Sequence, residues 1–157
     1  MARIKLKELQ SYEFQATLQV RITDINIANH LGHVELIGMM HEARHRFFTE
    51  LGVTELRLGA DNVGIVIIDL VTNYLLEVFA GDIIDIDLQI DDMTERSFRV
   101  YYRLRRGDEI VALAETGIAP FIYGSKQAVP VPAAFTEALA LYRKKTGQSG
   151  KGQSAKL

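Results

Sequence analysis

The chain has 157 residues, of which 48% are hydrophobic and 24% charged, and carries a formal net charge of −2. That length fits one domain with a real core, and a balance this close to neutral speaks against tracking a nucleic-acid backbone. The absence of cysteine excludes thiol chemistry, disulfides and cysteine-ligated zinc. The opening MARIKLKELQSYEF has no apolar leader and no run is long enough to span a bilayer, so a cytoplasmic protein without membrane contact is expected.

Residues 14–22 (FQATLQVRI) alternate apolar and polar side chains, as a half-buried strand does. A polar loop follows and runs into an amphipathic helix expected over residues 32–51. Leu36, Met40, Ala43, Phe47 and Leu51 recur along it at three- and four-residue steps, and Gly52 is a natural stop. Beyond a linker at 56–62 come four strand-like segments. The first, 63–76, is strongly β-branched. The second, 82–91, alternates acidic and aliphatic residues, giving one core face and one wet face. The third and fourth, 97–105 and 109–123, are joined by Arg106-Gly107-Asp108, a tight hairpin. Pro130 and Pro132 break the sheet, and 133–145 reads as a short surface helix with a basic end. Residues 147–157 (GQSGKGQSAKL) lack apolar anchors and read as a disordered tail, which leaves 1–146 as a single domain.

The expected class is α+β, an antiparallel five-stranded sheet wrapped around one long central helix. One helix cannot cover both faces of such a sheet, so a second copy is expected to seal its edges, as a homodimer or a dimer of dimers. All four histidines (His30, His33, His41, His45) fall in residues 23–48, TDINIANHLGHVELIGMMHEARHRFF. The start of a helix presents unpaired N–H groups and a partial positive charge. Polar side chains crowded there point to a site for an anion or a polarised carbonyl.

Asp24, Asn26 and His30 ahead of the helix, and Glu42-Ala43-Arg44 toward its end, begin an ordered set of short motifs. Phe79-Ala80-Gly81-Asp82, Arg96-Ser97-Phe98, Val111-Ala112 with Glu115-Thr116-Gly117, and Pro130-Val131-Pro132 continue it. Over residues 14–135 this set resembles the hotdog-fold acyl-CoA thioesterases of the 4-hydroxybenzoyl-CoA thioesterase family. The resemblance implies the hotdog fold, an acyl-CoA substrate and no cofactor beyond the coenzyme A of that substrate. The departures are specific. The family's D-x-D-x-x-G-H-V-N-N-x-x-Y has its second acid, the usual catalytic carboxylate, at Asn26, its N-N pair at Gly32-His33 and its tyrosine at Leu36. An amide takes no proton near neutral pH and serves only to orient water or a carbonyl.

Within that resemblance, the backbone N–H groups of Gly32 and His33 are candidates for an oxyanion hole, which does not depend on side chains. Gly32 would also admit close approach of substrate to the backbone. Glu35, in the first helical turn, ranks first as the base that activates water; its plain role is to complement the helix dipole. His30 or His33 comes next, since imidazole titrates in a useful range, and Asp24 follows, whose plain role is to cap loop amides. Arg96, with Ser97 at the same strand start, matches a position where the family is often basic and is the candidate for the coenzyme A phosphates. The acyl chain would lie near Ile37, Met40 and Ile65, positions that suit plain core equally well.

Three other readings carry less. Asn26 removes the usual acid, which would suit a non-catalytic acyl-CoA-binding dimer. Asp24-Ile25-Asn26 with His30 is similar to the D-x-N-P-x-H element of hotdog enoyl-CoA hydratases, with the proline missing and the histidine one residue late. His41-Glu42-Ala43-Arg44-His45 spells H-E-x-x-H, but no histidine remains downstream as third zinc ligand, so no metal is expected. In the family pattern these five residues end the helix, where their plain role is a solvent or subunit contact.

Overall fold

The protein is represented by a computed structural model that describes residues 4–147. Apart from Gly147, the expected tail lies outside the described residues. The elements are β1 (Phe14–Gln19), α1 (His33–Glu50), β2 (Gly64–Tyr74), β3 (Ile83–Asp91), β4 (Phe98–Arg106), β5 (Glu109–Ile122), the short β6 (Gln127–Ala128) and α2 (Ala133–Lys145). The class is α+β, and the sheet runs β1-β3-β4-β5-β2 with β6 added to β5. Thus β3, β4 and β5 form a meander, while β1 and β2 end the sheet on its two sides.

Register follows from side-chain alternation. Phe14, Ala16 and Leu18 pair with Leu88, Ile86 and Ile84, while Gln15 and Thr17 pair with Asp87 and Asp85. Apolar thus meets apolar on one face and polar meets polar on the other, and a one-residue slip would reverse both. The first strand stops at Gln19 rather than running to 22. Ile22–Asp24 form a 3₁₀ turn, because the Arg21 N–H donates to the Asp24 carboxylate at 2.8 Å and closes the chain locally.

The chain divides into two compact units. The first holds the described residues through Phe47, with Leu70–Gln89 and Tyr101–Glu115. Its core encloses Ile84, Ile86, Leu88 and Leu104, and Phe14 stacks on Phe47 with ring centroids 4.8 Å apart. Arg44, expected at a solvent or subunit contact, is instead buried and donates from Nη1 to the Tyr102 hydroxyl at 3.3 Å. On the other face of β3 and β4, the buried Asp87 carboxylate accepts from Arg103 Nε at 2.8 Å and Arg105 Nε at 2.7 Å. Pairing of this kind is what makes a buried carboxylate tolerable.

The second unit holds Phe48–Asp69, Ile90–Val100 and the described residues from Thr116 on. Phe135 of α2 is fully buried; its ring centroid lies 5.0 Å from that of Phe98 and 5.9 Å from that of Phe48. At the end of α1, Gly52 takes φ +73°. Its N–H donates to the Thr49 carbonyl at 3.0 Å, and that of Val53 to the Phe48 carbonyl at 2.9 Å. This is the double closure that a left-handed glycine allows. Because Phe135 is the aromatic anchor of α2, Phe135→Ala should cost about 3–5 kcal/mol in urea unfolding; a loss below about 1 kcal/mol would show that the helix is held by other contacts.

Candidate active site

The site is built from a tight loop feeding α1. Asn26 N–H donates to the His30 carbonyl at 2.9 Å, and Asn29 N–H to the Asn26 carbonyl at 3.0 Å. Asn29 adopts φ 66°, a left-handed conformation that asparagine tolerates better than most residues. Two main-chain bonds fix the loop's exit: Leu31 N–H donates to the Val78 carbonyl at 2.7 Å, and Gly32 N–H to the Asp24 carbonyl at 2.9 Å. Gly32 is then the cap of α1, since its carbonyl accepts from Leu36 N–H at 3.0 Å.

These bonds bear on the expected oxyanion donors. The Gly32 N–H is already spent on the Asp24 carbonyl. Among the described residues, the N–H groups of His33, Val34 and Glu35 remain the open donors of the first turn. The glycine at 32 has another purpose: a Cβ there would sit 1.8 Å from Glu35 Oε2 and 3.7 Å from the Asn26 Cβ. The Glu35 carboxylate folds back over the Gly32 Cα, so a side chain at 32 would require Glu35 to swing away.

Asn26, His30 and His33 come together on a cavity of about 420 Å³, whose wall is Leu31, Leu36 and the segment 74–78, apolar but for Glu77. The side chain of Asn26 is fixed by its own loop, Oδ1 accepting from Ala28 N–H at 2.9 Å. Its Nδ2 is thereby turned toward His30 Nδ1, at 3.5 Å. The nearer partner of that ring nitrogen is the Leu31 carbonyl at 3.2 Å, which can only accept. It favours the tautomer protonated on Nδ1, leaving the Nε2 lone pair available. Burial pushes the Tyr74 phenol up from its ordinary value, so it remains a donor at neutral pH.

Glu35 is parted from this group. It lines a different cavity, of about 530 Å³, together with Arg21, Asp24, Glu42, Arg46 and Met39. Asp24 is engaged too, accepting from Arg21 N–H at 2.8 Å and from Arg21 Nη2 at 3.0 Å, which is the loop-capping role. Met40 and Ile65 are buried in the core and do not line the cavity beside His30. The wall that does, 74–78, was not singled out in the sequence, although its largely apolar run YLLEV carried a signal. Arg96 and Ser97 sit at the turn before β4, in the second unit. The Ser97 hydroxyl is 2.8 Å from that of Thr94, while Arg96 spends one Nη1 contact on the Ala128 carbonyl at 3.5 Å. His41 and His45 lie four residues apart on α1, and no cluster of three or more metal-ligating side chains occurs among the described residues.

Comparison with known proteins adds independent findings. Residues 20–139 match the thioesterase-like superfamily. The chain is 30% identical over 127 residues to a 1,4-dihydroxy-2-naphthoyl-CoA hydrolase of Synechococcus elongatus, covering 79% of this chain and 91% of that protein. Among solved structures it resembles a 1,4-dihydroxy-2-naphthoyl-CoA thioesterase from Synechocystis, with TM-score 0.73 and 17% identity over 81% of this chain and 95% of that one. A gentisyl-coenzyme A thioesterase gives TM-score 0.72 and 20% identity, covering 81% and 100%. At these identities the structural likeness speaks for the fold, the hotdog fold expected from the motifs.

The Arg21 guanidinium bonded to Asp24 holds its carboxyl below the ordinary value of 3.8. A carboxyl depressed in the folded state stabilises fully above its unfolded value, and that contribution is lost as the pH falls through the folded one. Asp24→Asn should therefore flatten the acid side of the stability curve, followed by urea unfolding from about pH 5 to about pH 2. A slope equal to that of the wild type would contradict the pairing.

Proposed function

The chain belongs to the thioesterase-like superfamily, and on that premise we propose that it hydrolyses an acyl-CoA thioester in the cavity at the start of α1. One observation carries the reading: His33 at the open start of α1, His30 with its Nε2 lone pair, and a wall that is apolar but for Glu77 line one cavity. The thioester carbonyl accepts from the His33 and Val34 N–H groups, where the helix dipole favours developing negative charge. His30 Nε2 takes a proton from water as the oxygen bonds to the carbonyl carbon. Collapse of the tetrahedral intermediate breaks the carbon–sulfur bond, and the proton passes from the imidazolium to the thiolate. Asn26 holds the His30 backbone in place through its N–H bond to the His30 carbonyl and does no proton transfer itself, while the Leu31 carbonyl orients the ring.

His30 is preferred over Glu35 because it shares the cavity with the apolar wall, whereas the Glu35 carboxylate opens on the other side of Gly32. A second copy of the chain, as homodimer or dimer of dimers, would cover Ile67, Ile68 and Leu70, which are exposed on the terminal strand β2. Arg96, with guanidinium donors to spare, is the candidate for the coenzyme A phosphates; Ser97 supports its turn.

With free-thiol detection on an acyl-CoA panel, His30→Gln should lower kcat by about 10²–10⁴-fold, the usual worth of a general base. Glu35→Gln should stay within about threefold. The opposite pattern, with Glu35→Gln crippled and His30→Gln active, would transfer the role of base to Glu35. Arg96→Ala should raise KM for acyl-CoA but not for the matching acyl-pantetheine, which lacks the nucleotide; equal effects on both would remove Arg96 from coenzyme A binding.

A further inference from the structure

The segment ahead of β1 is attached to the sheet by main-chain and side-chain contacts. Glu13 N–H donates to the Leu88 carbonyl of β3 at 2.9 Å. The Tyr12 ring lies 4.4 Å beneath the Arg103 guanidinium of β4, and Glu8 forms an ion pair with the same arginine. Farther back, Leu6 N–H donates to Asn73 Oδ1 at 2.8 Å, and Asn73 Nδ2 donates to the Ile4 carbonyl at 3.0 Å. These anchors fall on β3, β4 and β2, and β2 ends the sheet opposite β1. Residues 4–13 are therefore an arm that leaves β1 and reaches the far edge, where one buried amide holds it at two points as a peptide group would.

Asn73 is the penultimate residue of β2. Successive side chains of a strand point to opposite faces, so Asn73 faces the arm while Tyr74 faces the cavity that it lines. Just beyond, the N–H groups of Leu75 and Leu76 both donate to the Val111 carbonyl, at 2.9 and 3.2 Å. The strand leaves its ladder there on a shared acceptor, and the next fixed points are the Glu77 carbonyl, which accepts from Arg106 Nη1 at 3.4 Å, and Val78, bonded to Leu31. The near end of the wall is thus held by the pairing of β2 with β5, which ends at Tyr74, by the Asn73 clasp and by one divided bond.

We infer that Asn73 is a positioning residue: by clasping Ile4 and Leu6 it makes the N-terminal arm a splint for the wall 74–78, and so for the fit of the acyl group. This rests on the thioesterase reading above. The acyl group meets the wall only when it is large enough to reach it, so loss of the splint acts on selectivity between acyl groups, not on the chemistry at the carbonyl.

The test compares kcat/KM for acetyl-CoA with that for the bulkiest acyl-CoA the wild type hydrolyses, in a panel running through palmitoyl and benzoyl thioesters. In Asn73→Leu the bulky-to-acetyl ratio should fall about 2- to 10-fold, the scale of one or two lost hydrogen bonds, with kcat for acetyl-CoA unchanged. The ratio is independent of the fraction of folded enzyme. Leu6→Pro removes the arm's donor without touching Asn73 and should give the same fall; the double variant should add nothing further. If Asn73→Leu does not fold, Leu6→Pro decides by the same ratio. An unchanged ratio, or equal losses on both substrates, overturns the splint while leaving the thioesterase intact. A wild type that releases thiol from no member of the panel overturns the thioesterase reading, and the splint with it.

Discussion

The hydrogen bond from the Leu31 N–H to the Val78 carbonyl, 2.7 Å long, joins the loop that carries the histidine to the segment that carries the apolar wall. One residue later the Gly32 N–H returns to Asp24 and closes the loop onto its own beginning. These two bonds set where α1 starts and which of its N–H groups stay open. They also decide that Asn26 and His30 face residues 74–78. Without them the polar loop and the apolar segment would be parts of a surface, not the two sides of one cavity.

The same bonds explain what the sequence revealed and what it concealed. Period-two alternation in β1, β3 and β4 and the helical spacing from Leu36 to Phe47 are local properties, and they located those elements to within a few residues. The site loop was legible because histidines and a glycine crowded a helix start. Its donors were not, because the occupant of the Gly32 N–H is a main-chain carbonyl, which leaves no mark on residue types. The end of β2 was concealed for a related reason. TNYLL reads as uninterrupted strand, yet Leu75 and Leu76 share one acceptor on Val111, and only the paired chain reveals that the ladder stops there. Glu35 stood in the first turn with two directions open to it, and its carboxylate lies over Gly32 and lines the other cavity.

Asn26 changes the chemistry more than the architecture. A carboxylate at this position would itself supply a proton acceptor; the amide instead spends its oxygen on Ala28 N–H and turns its nitrogen toward the imidazole. In the proposed mechanism the proton-accepting role falls to a neighbour whose tautomer is set by a carbonyl, an arrangement familiar from histidines oriented through their second nitrogen. The helix-start donors are unaffected by the exchange, because they are backbone groups. On that proposal, substrate polarisation and proton transfer are carried by different parts of the chain, and the second can change while the first persists.

The most direct measurement is a crystal structure with an acyl-CoA analogue in which a methylene replaces the thioester sulfur, so that the carbonyl remains but is not cleaved. Its carbonyl oxygen should lie within hydrogen-bonding distance, about 2.7–3.1 Å, of the His33 and Val34 N–H groups, with the His30 ring beside the carbonyl carbon and the acyl group against residues 74–78. A carbonyl lodged in the other cavity beside Glu35, or away from the start of α1 altogether, would contradict the placement of the reaction at this helix end.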